Sequence, residues 1–376
     1  MKEKDALDLI SLKNHIRKKI EENGPITFDA FMDEALYHKD WGYYEKCELN
    51  QVGKTGDFMT SVSVGEAFGK LLALKLISLA KKTPHQNKPI IVEAGAHDAQ
   101  LADDILNAVE TLGSSDSFRK YTIIEPSNSR RAYQMKKLNK TPIDVEWLTT
   151  IEELPDNIPI IFLSNELFDA MPFRRIYWNK NSLSWMEWLV TFSEDNFSWI
   201  PAETTVNNQS MVLQARLDVE KELARHIPDH FTIEVSPNSV DYYQKLLNRI
   251  NSGFVITIDY GQTGEQWLQP HKVKGTLRGY QNHKLVDNEL AHPGSCDLTC
   301  DVCFQDLELT GKQAGFGTEF CGTQQSYLTH VLRENQSLIN HNQTFWGQKD
   351  NRQFLTLVSP QFFGARFKVL EQSLFV

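Results

Sequence analysis

Carboxylates stand where apolar runs end. Ile161-Phe162-Leu163 runs into a polar Asn165-Glu166 pair, with Asp169 three residues further on. In an open α/β sheet the strand ends face the crevice where ligands bind, so acids there meet a ligand rather than core. An alternative stays open from the residues alone: Ser164 or Asn165 caps a helix whose first turn carries Glu166 and Asp169 to suit the positive end of its dipole.

A second chemistry-bearing run is Glu93-Ala94-Gly95-Ala96-His97-Asp98-Ala99, placed directly after Ile90-Ile91-Val92. An acid, a glycine turn and then a helix make a cofactor-binding turn, because glycine admits close backbone approach and helix-start amides offer donors. Only Gly95 remains of the glycines such a loop usually carries, so an ordinary strand-to-helix connection fits the same residues. Glu125 closes the next apolar run, Tyr121-Thr122-Ile123-Ile124, and an acid at that position can take both hydroxyls of a ribose. A solvated strand end is its plainer reading. The spacing of Glu93 and Glu125, about thirty residues, is one βαβ repeat and places both acids on one sheet edge.

Two further clusters carry weaker signals. Gly275-Thr276-Leu277-Arg278-Gly279-Tyr280-Gln281-Asn282-His283 gathers a guanidinium, a phenol and an imidazole. Arg278 can anchor an acid, or simply pair with a carboxylate in a surface loop. Cys296, Cys300 and Cys303 have the spacing C-x3-C-x2-C, which invites comparison with iron–sulfur or zinc ligation, Cys321 being a possible fourth ligand. Buried thiols are the simplest account, and no metal is assigned.

These residues need a scaffold, and 376 residues with 41% hydrophobic and 11% aromatic content can bury a large core. A net charge of -10 opposes nonspecific attraction to nucleic acid or anionic lipid, so no nucleic-acid partner is expected. No segment reaches the roughly 18 uninterrupted apolar residues of a membrane span. The N-terminal residues mix acids and bases without an apolar core, which reads as cytoplasmic, and five scattered cysteines suggest reduced thiols.

Apolar spacing predicts two helices before residue 60, the second within 27–36, and a third beginning near Val64. Buried-type strands are expected at 90–92, 121–124, 145–148, 158–163 and 254–258, with helices from about 101 to 112 and from 130 to 138, the latter capped by Ser127. The Trp-rich stretch 177–199 alternates apolar and polar residues as antiparallel strands do, and a helix over 210–226 follows. Strands at 317–321 and 366–372 flank a helix over 324–333. No internal repeat or low-complexity segment is present.

Taken together, the chain resembles the MidA-like family of S-adenosylmethionine-dependent protein arginine methyltransferases, which includes the mitochondrial complex I assembly enzyme. The resemblance runs through Gly24-Pro25-Ile26, Ala35-Leu36-Tyr37-His38, Gly42-Tyr43-Tyr44, Gly56-Asp57-Phe58-Met59-Thr60-Ser61, Glu93-Ala94-Gly95, Glu125-Pro126-Ser127, Asn165-Glu166 with Asp169-Ala170-Met171-Pro172, Ile258-Asp259-Tyr260-Gly261 and Gly275-Thr276-Leu277-Arg278-Gly279-Tyr280. It implies a class I methyltransferase, Rossmann-like α/β fold: a mostly parallel seven-stranded sheet with a helical N-terminal extension and insertions. The corresponding divisions are an extension over 1–60, core over 61–176, inserted strands and helices over 177–250, and core again over 251–376 with a loop insertion near 262–315.

By the same resemblance S-adenosylmethionine is the cofactor. The loop of Glu93, Gly95 and His97 would hold its methionine end and Glu125 its ribose, with Asn165 beside them and Gly56, Asp57, Phe58 and Thr60 closing from the N-terminal side. Glu166 and Asp169 are the implied catalytic carboxylates, and Tyr260, Arg278, Tyr280 and His283 the implied substrate contacts. The expected partner is a protein whose arginine is methylated; a small-molecule acceptor and a noncatalytic assembly factor are the alternatives. One departure stands out: the family's loop reads Glu-x-Gly-x-Gly-x-Gly, and here His97 replaces the second glycine. A histidine tolerates a left-handed backbone at a cost of about 1 kcal/mol.

Overall fold

The computed structural model describes residues 3–45, 60–83, 87–206, 211–218, 221–263, 272–281 and 284–375. The chain begins with α1 (Glu3–Asn23), a short β1 (Ile26–Thr27) and α2 (Phe28–Tyr37). Gly24, at φ 80°, ends α1 in the left-handed turn that glycine adopts without a side-chain clash. A 3-10 turn at Val62–Val64 precedes α3 (Ala67–Ala80), so the helix starts one turn later than its apolar pattern suggests.

Alternation of strand and helix then takes over. It comprises β2 (Ile90–Ala94), α4 (Gln100–Thr111), β3 (Tyr121–Ile124), α5 (Asn128–Lys137), β4 (Val145–Leu148) and β5 (Ile160–Asn165). All residues of β2 and β3 are buried, as expected for parallel strands covered on both faces. Three antiparallel strands follow, β6 (Arg174–Asn179), β7 (Ser184–Ser193) and β8 (Asn196–Glu203), in the Trp-rich stretch read as such.

The single helix expected over 210–226 is instead two, α6 (Met211–Leu217) and α7 (Lys221–Ala224). The Trp185 indole donates to the Leu217 carbonyl at 3.0 Å, satisfying a helix-end acceptor from β7 rather than from a continuing turn. The chain proceeds through β9 (Thr232–Val235), α8 (Pro237–Arg249), β10 (Gly253–Gln262), β11 (Arg278–Gln281), β12 (Lys284–Leu285), β13 (Asp297–Thr299) and β14 (Val302–Cys303). It ends with α9 (Phe304–Gln313), β15 (Gly317–Thr323), α10 (Gln324–Glu334), α11 (Gln336–His341), α12 (Gln348–Val358) and β16 (Phe367–Leu374).

These elements gather into two compact units. One comprises Met1–Glu48, Phe168–Tyr242 and Gly264–Leu309; the other comprises Leu49–Leu167, Tyr243–Thr263 and Thr310–Val376. The second unit, hereafter the sheet unit, holds strands in the order β15-β16-β10-β5-β2-β3-β4. From β10 to β4 every pairing is parallel, whereas β16 runs antiparallel to both β10 and β15. Strand order reverses on passing from β2 to β5, which is the switch point where open sheets bind ligands. Register fixes the rim: Ala94 lies opposite Ile124 and Ser164, and Ser164 lies opposite Thr257. Glu93, Glu125, Asn165 and Asp259 therefore all belong to the carboxyl ends of neighbouring strands.

Its core combines α3, α4 and the strand faces, with Phe68, Leu72, Ile105, Ile123, Ile161, Tyr327 and Phe367 fully or almost fully buried. Gly69 permits α3 to approach α4, since a Cβ there would lie 2.4 Å from that of Asp104. The other unit, the insertion unit, is built on a sheet ordered β1-β7-β6-β9, with β8 on β7, and a smaller sheet ordered β12-β11-β13. Leu12, Ile16, Phe28, Phe31, Phe173, Val190 and Leu298 form one of its cores. Among the described residues no helix is long and apolar enough to cross a membrane.

Candidate active site

Glu166 does not sit in a helix. Residues 166–173 form bends and turns after β5, so the capping reading of Ser164, Asn165, Glu166 and Asp169 is set aside. Glu166 has φ 52°, a left-handed backbone held by its amide donating to the Ile258 carbonyl at 3.0 Å. Asn165 Nδ2 donates to Glu166 Oε1 at 3.0 Å and fixes the carboxylate, which is half-buried. Strain of this kind is held by its surroundings and is concentrated at functional positions.

The β2–α4 loop keeps a glycine-loop backbone with few glycines. Gly95, His97 and Ala99 have φ of 77°, 46° and 59°. A Cβ on Gly95 would come within 3.1 Å of Leu167 Cδ1, so both conformation and space ask for glycine there. At His97 and Ala99 the same conformation is enforced by hydrogen bonds. Asp98 Oδ1 accepts the Gln100 amide at 3.0 Å, Asp98 Oδ2 accepts Lys137 Nζ at 3.0 Å, and the Ala99 amide donates to the Ala96 carbonyl at 2.6 Å. Although burial opposes it, hydrogen bonds from His97 and Lys137 hold the Asp98 carboxyl well below the usual carboxylate range. The His97 ring stays close to this carboxylate, Nδ1 lying 3.7 Å from Asp98 Oδ1.

Glu125 is tied to that loop by a residue the sequence reading passed over. Gln134, wholly buried on α5, donates from Nε2 to the His97 carbonyl at 2.9 Å and to Glu125 Oε2 at 3.1 Å, while its Oε1 accepts the Trp147 indole at 2.9 Å. Glu125 Oε1 accepts the Ser127 amide at 3.0 Å. Ser127 is at the N-cap of α5 as expected, but its hydroxyl lies 2.9 Å from Ser129 Oγ. Gln134 carried a usable signal: it is a polar residue at the core-facing helical position between Arg131 and Leu138.

Glu93 is more deeply placed than an exposed strand-end acid, with 2% of its surface exposed. The Tyr121 hydroxyl donates to its Oε2 at 2.6 Å. Burial, and secondarily the charge of Asp98, push the Glu93 pKa up to about 7 against the Tyr121 hydrogen bond, which lowers it. Thr60 is buried in the same unit, exchanging hydrogen bonds with Ser63. Gly56, Asp57, Phe58 and His283 lie outside the described residues. Tyr260, next to buried Asp259 on β10, packs against Phe367 with ring centroids 4.0 Å apart.

Asp169, Arg278 and Tyr280 belong to the insertion unit. Glu234 builds the bend before Arg278, its carboxylate accepting the Thr276 amide and hydroxyl, each at 2.8 Å. Gly275 is required there: φ is 81°, and a Cβ would meet Glu234 Oε1 at 2.2 Å. Arg278 Nη1 donates to Asp301 Oδ1 at 2.7 Å, so the acid it anchors includes one of the protein's own. Tyr280 faces Asp297 across β11 and β13, and Tyr44 donates to Asp297 Oδ1 at 2.7 Å. Asp169 is buried in this network: its carbonyl accepts the Cys300 amide at 3.1 Å; burial lowers the pKa of Arg278, but Asp301 and, behind it, Asp169 raise it, while burial and Asp297 raise that of Tyr44 with a smaller contribution from Asp169. Among the described residues the cysteines join no cluster of three potential metal ligands; Cys296 and Cys300 are buried thiols.

This rim tests well against a nucleoside cofactor bearing an amine. Asn165 Oδ1 is buried and meets no donor among the described residues, an acceptor suited to an N–H group. The adjacent loop has a left-handed backbone at Gly95, His97 and Ala99, and Glu125 sets a carboxylate just past the end of β3. Residues 71–320 match the family model described as "Putative S-adenosyl-L-methionine-dependent methyltransferase".

The chain belongs to this family of methyltransferases.

It is an S-adenosylmethionine-dependent methyltransferase of the α/β class. It is 30% identical to the mitochondrial protein arginine methyltransferase NDUFAF7 of Xenopus tropicalis, over 83% of this chain and 74% of that protein. The human protein of the same name is 26% identical over 94% of this chain and 81% of its own length. A crystal structure from Burkholderia thailandensis with S-adenosyl-homocysteine bound superposes with a TM-score of 0.83 at 22% identity, covering 100% of this chain and 94% of that one. The expectation of a cytoplasmic location is overturned, because these relatives and that of Caenorhabditis elegans are named as mitochondrial.

Proposed function

We propose that this methyltransferase acts on arginine side chains of a partner protein. The observation that carries the reading is Glu166: a carboxylate at the end of switch-point strand β5, its left-handed backbone held by Ile258 and its side chain fixed by Asn165. A guanidinium is a planar fork of N–H donors that a fixed carboxylate can grip. Glu166 draws positive charge toward one end of the fork, leaves the other nitrogen richer in electrons, and takes the proton released on methylation. When bound, S-adenosylmethionine supplies an already activated methyl group, so the protein's task is alignment and exclusion of water.

In this reading Glu125 holds the ribose, Gly95 and His97 border the methionine end, and Asn165 Oδ1 accepts an amine donor. Glu93, raised toward neutrality, supports the loop from below through Tyr121 rather than by direct charge. Asp169 is a positioning residue, anchoring the turn after β5 to the Arg278 loop through Cys300. Tyr260, at the end of β10 in the same unit as Glu166, contributes to the acceptor side. The names of the relatives support arginine as the acceptor and point to a mitochondrial setting.

The test incubates the full chain with methyl-labelled S-adenosylmethionine and a mitochondrial extract, followed by acid hydrolysis and amino-acid analysis. Label is expected in methylarginine, and Glu166→Gln should abolish it with cofactor affinity changed less than about threefold. Label confined to small molecules, or full labelling by Glu166→Gln, overturns the assignment.

A further inference from the structure

Outside the methyltransferase site, the insertion unit places three ligand-type side chains together on its first two helices. His15 of α1 and Glu34 and His38 at the end of α2 present ring nitrogens and a carboxylate oxygen that all lie within 4.8 Å of one another. We propose that these residues bind one divalent transition metal of the zinc class, clamping α1 to α2.

Spacing explains the convergence. Glu34 and His38 are four residues apart, which puts both on one face at the end of α2. His15 meets them from α1, with Nε2 3.4 Å from Glu34 Oε2. Two atoms bound tetrahedrally to one zinc at about 2.0–2.1 Å stand roughly 3.4 Å apart, so this pair is already at ligating distance. His38 is half-buried at the helix end, with a ring nitrogen within 4.8 Å of both other ligand atoms.

The surroundings divide the labour within the carboxylate. Lys19 donates to Glu34 Oε1 at 2.5 Å, leaving Oε2 turned toward His15. An outer partner of this type fixes a metal ligand's orientation and offsets part of its charge. Trp41 stacks on His38 with ring centroids 4.6 Å apart and planes 9° from parallel, fixing the imidazole plane. Metal binding costs one contact: the Asp40 amide donates to His38 Nδ1 at 3.3 Å, and that long bond gives way when a metal takes either ring nitrogen. Two imidazoles and one carboxylate select zinc, cobalt or nickel over magnesium or calcium, which prefer oxygen shells.

The experiment titrates chelator-treated full chain with zinc chloride by calorimetry and repeats the measurement with cobalt chloride by visible absorption. One equivalent is expected to bind with micromolar affinity or better. His15→Ala and His38→Ala should each weaken binding by at least about tenfold. The double variant should abolish it, while exposed His330→Ala leaves it unchanged. Intense cobalt bands of a four-coordinate site should appear in the wild-type chain and vanish in the double variant. Absence of zinc binding at 100-fold molar excess, or equal affinity and spectra in wild type and double variant, overturns the site. Folding of each variant is checked by its undiminished binding of S-adenosyl-homocysteine, which separates loss of ligands from loss of structure.

Discussion

Replacing Glu93 with glutamine should favour the variant over wild type progressively as pH rises from about 4.5 to about 7, with the gain retained above that. Glu93 is buried, its partner is the Tyr121 hydroxyl 2.6 Å away, and its folded pKa is about 7 against an ordinary 4.5. The folded state therefore keeps a proton that the unfolded chain has released over that window. Stability contributed by the neutral acid is fully present below pH 4.5, declines as pH rises through the window and levels off above about 7. The shift corresponds to about 3 kcal/mol, of which about 2.5 kcal/mol is lost between pH 5 and pH 8. Glutamine carries no titrating proton, and its amide oxygen can still accept from Tyr121. The stability difference between Glu93→Gln and wild type should thus move in favour of the variant by about 2.5 kcal/mol across those pH values. Hydrogen exchange of the amides in β2, corrected for intrinsic rates, reads the opening free energy of this strand. A difference independent of pH would refute the claim that Glu93 is held neutral by burial.

Gln134→Ala removes the partner of His97 O, Glu125 Oε2 and Trp147 Nε1 together, and should cost about 3 kcal/mol in denaturant unfolding while weakening S-adenosyl-homocysteine binding. Lys75→Met leaves Glu371, now 2.8 Å from the ammonium and almost wholly buried, with the Tyr327 hydroxyl as its remaining named partner; a loss of about 3–5 kcal/mol is expected in the same assay. Gly275→Ala meets both a φ of 81° and the Glu234 carboxylate, so a loss of at least about 2 kcal/mol is expected, with a raised KM for the methyl acceptor and little change for the cofactor.

Strand ends were the legible part of the chain. Continuous apolar runs at Ile90, Tyr121 and Ile161 mark strands buried on both faces, and the acids that close them fall on one rim because parallel strands share direction. What those acids touch was not legible. Glu93 is capped by Tyr121, a residue 28 positions away at the opposite end of a neighbouring strand, and Gln134 reaches two loops at once from a helix. Both depend on side-chain direction across elements, which periodicity along one element does not encode. The alternative of a helix starting around Glu166 is not realised: Glu166 has φ 52°, outside the helical region, and its amide donates to the Ile258 carbonyl on β10. Gly95, His97 and Ala99 illustrate the converse: residue identity suggested a degraded cofactor turn, whereas tertiary hydrogen bonds hold its backbone in the left-handed form.

The position of β16 bears on how the protein is made. Residues 367–374 follow every other strand of this sheet in chain order, yet they lie between β15 and β10, inside the sheet rather than at its margin. Until they emerge, the backbone edge of β10 has no antiparallel neighbour and the apolar faces of Val369 and Leu370 are missing from the core. A ribosome-bound chain from which β16 has yet to emerge presents a sticky, half-zipped sheet, so closure of the sheet waits for its last strand in chain order and makes such nascent chains clients for holding chaperones.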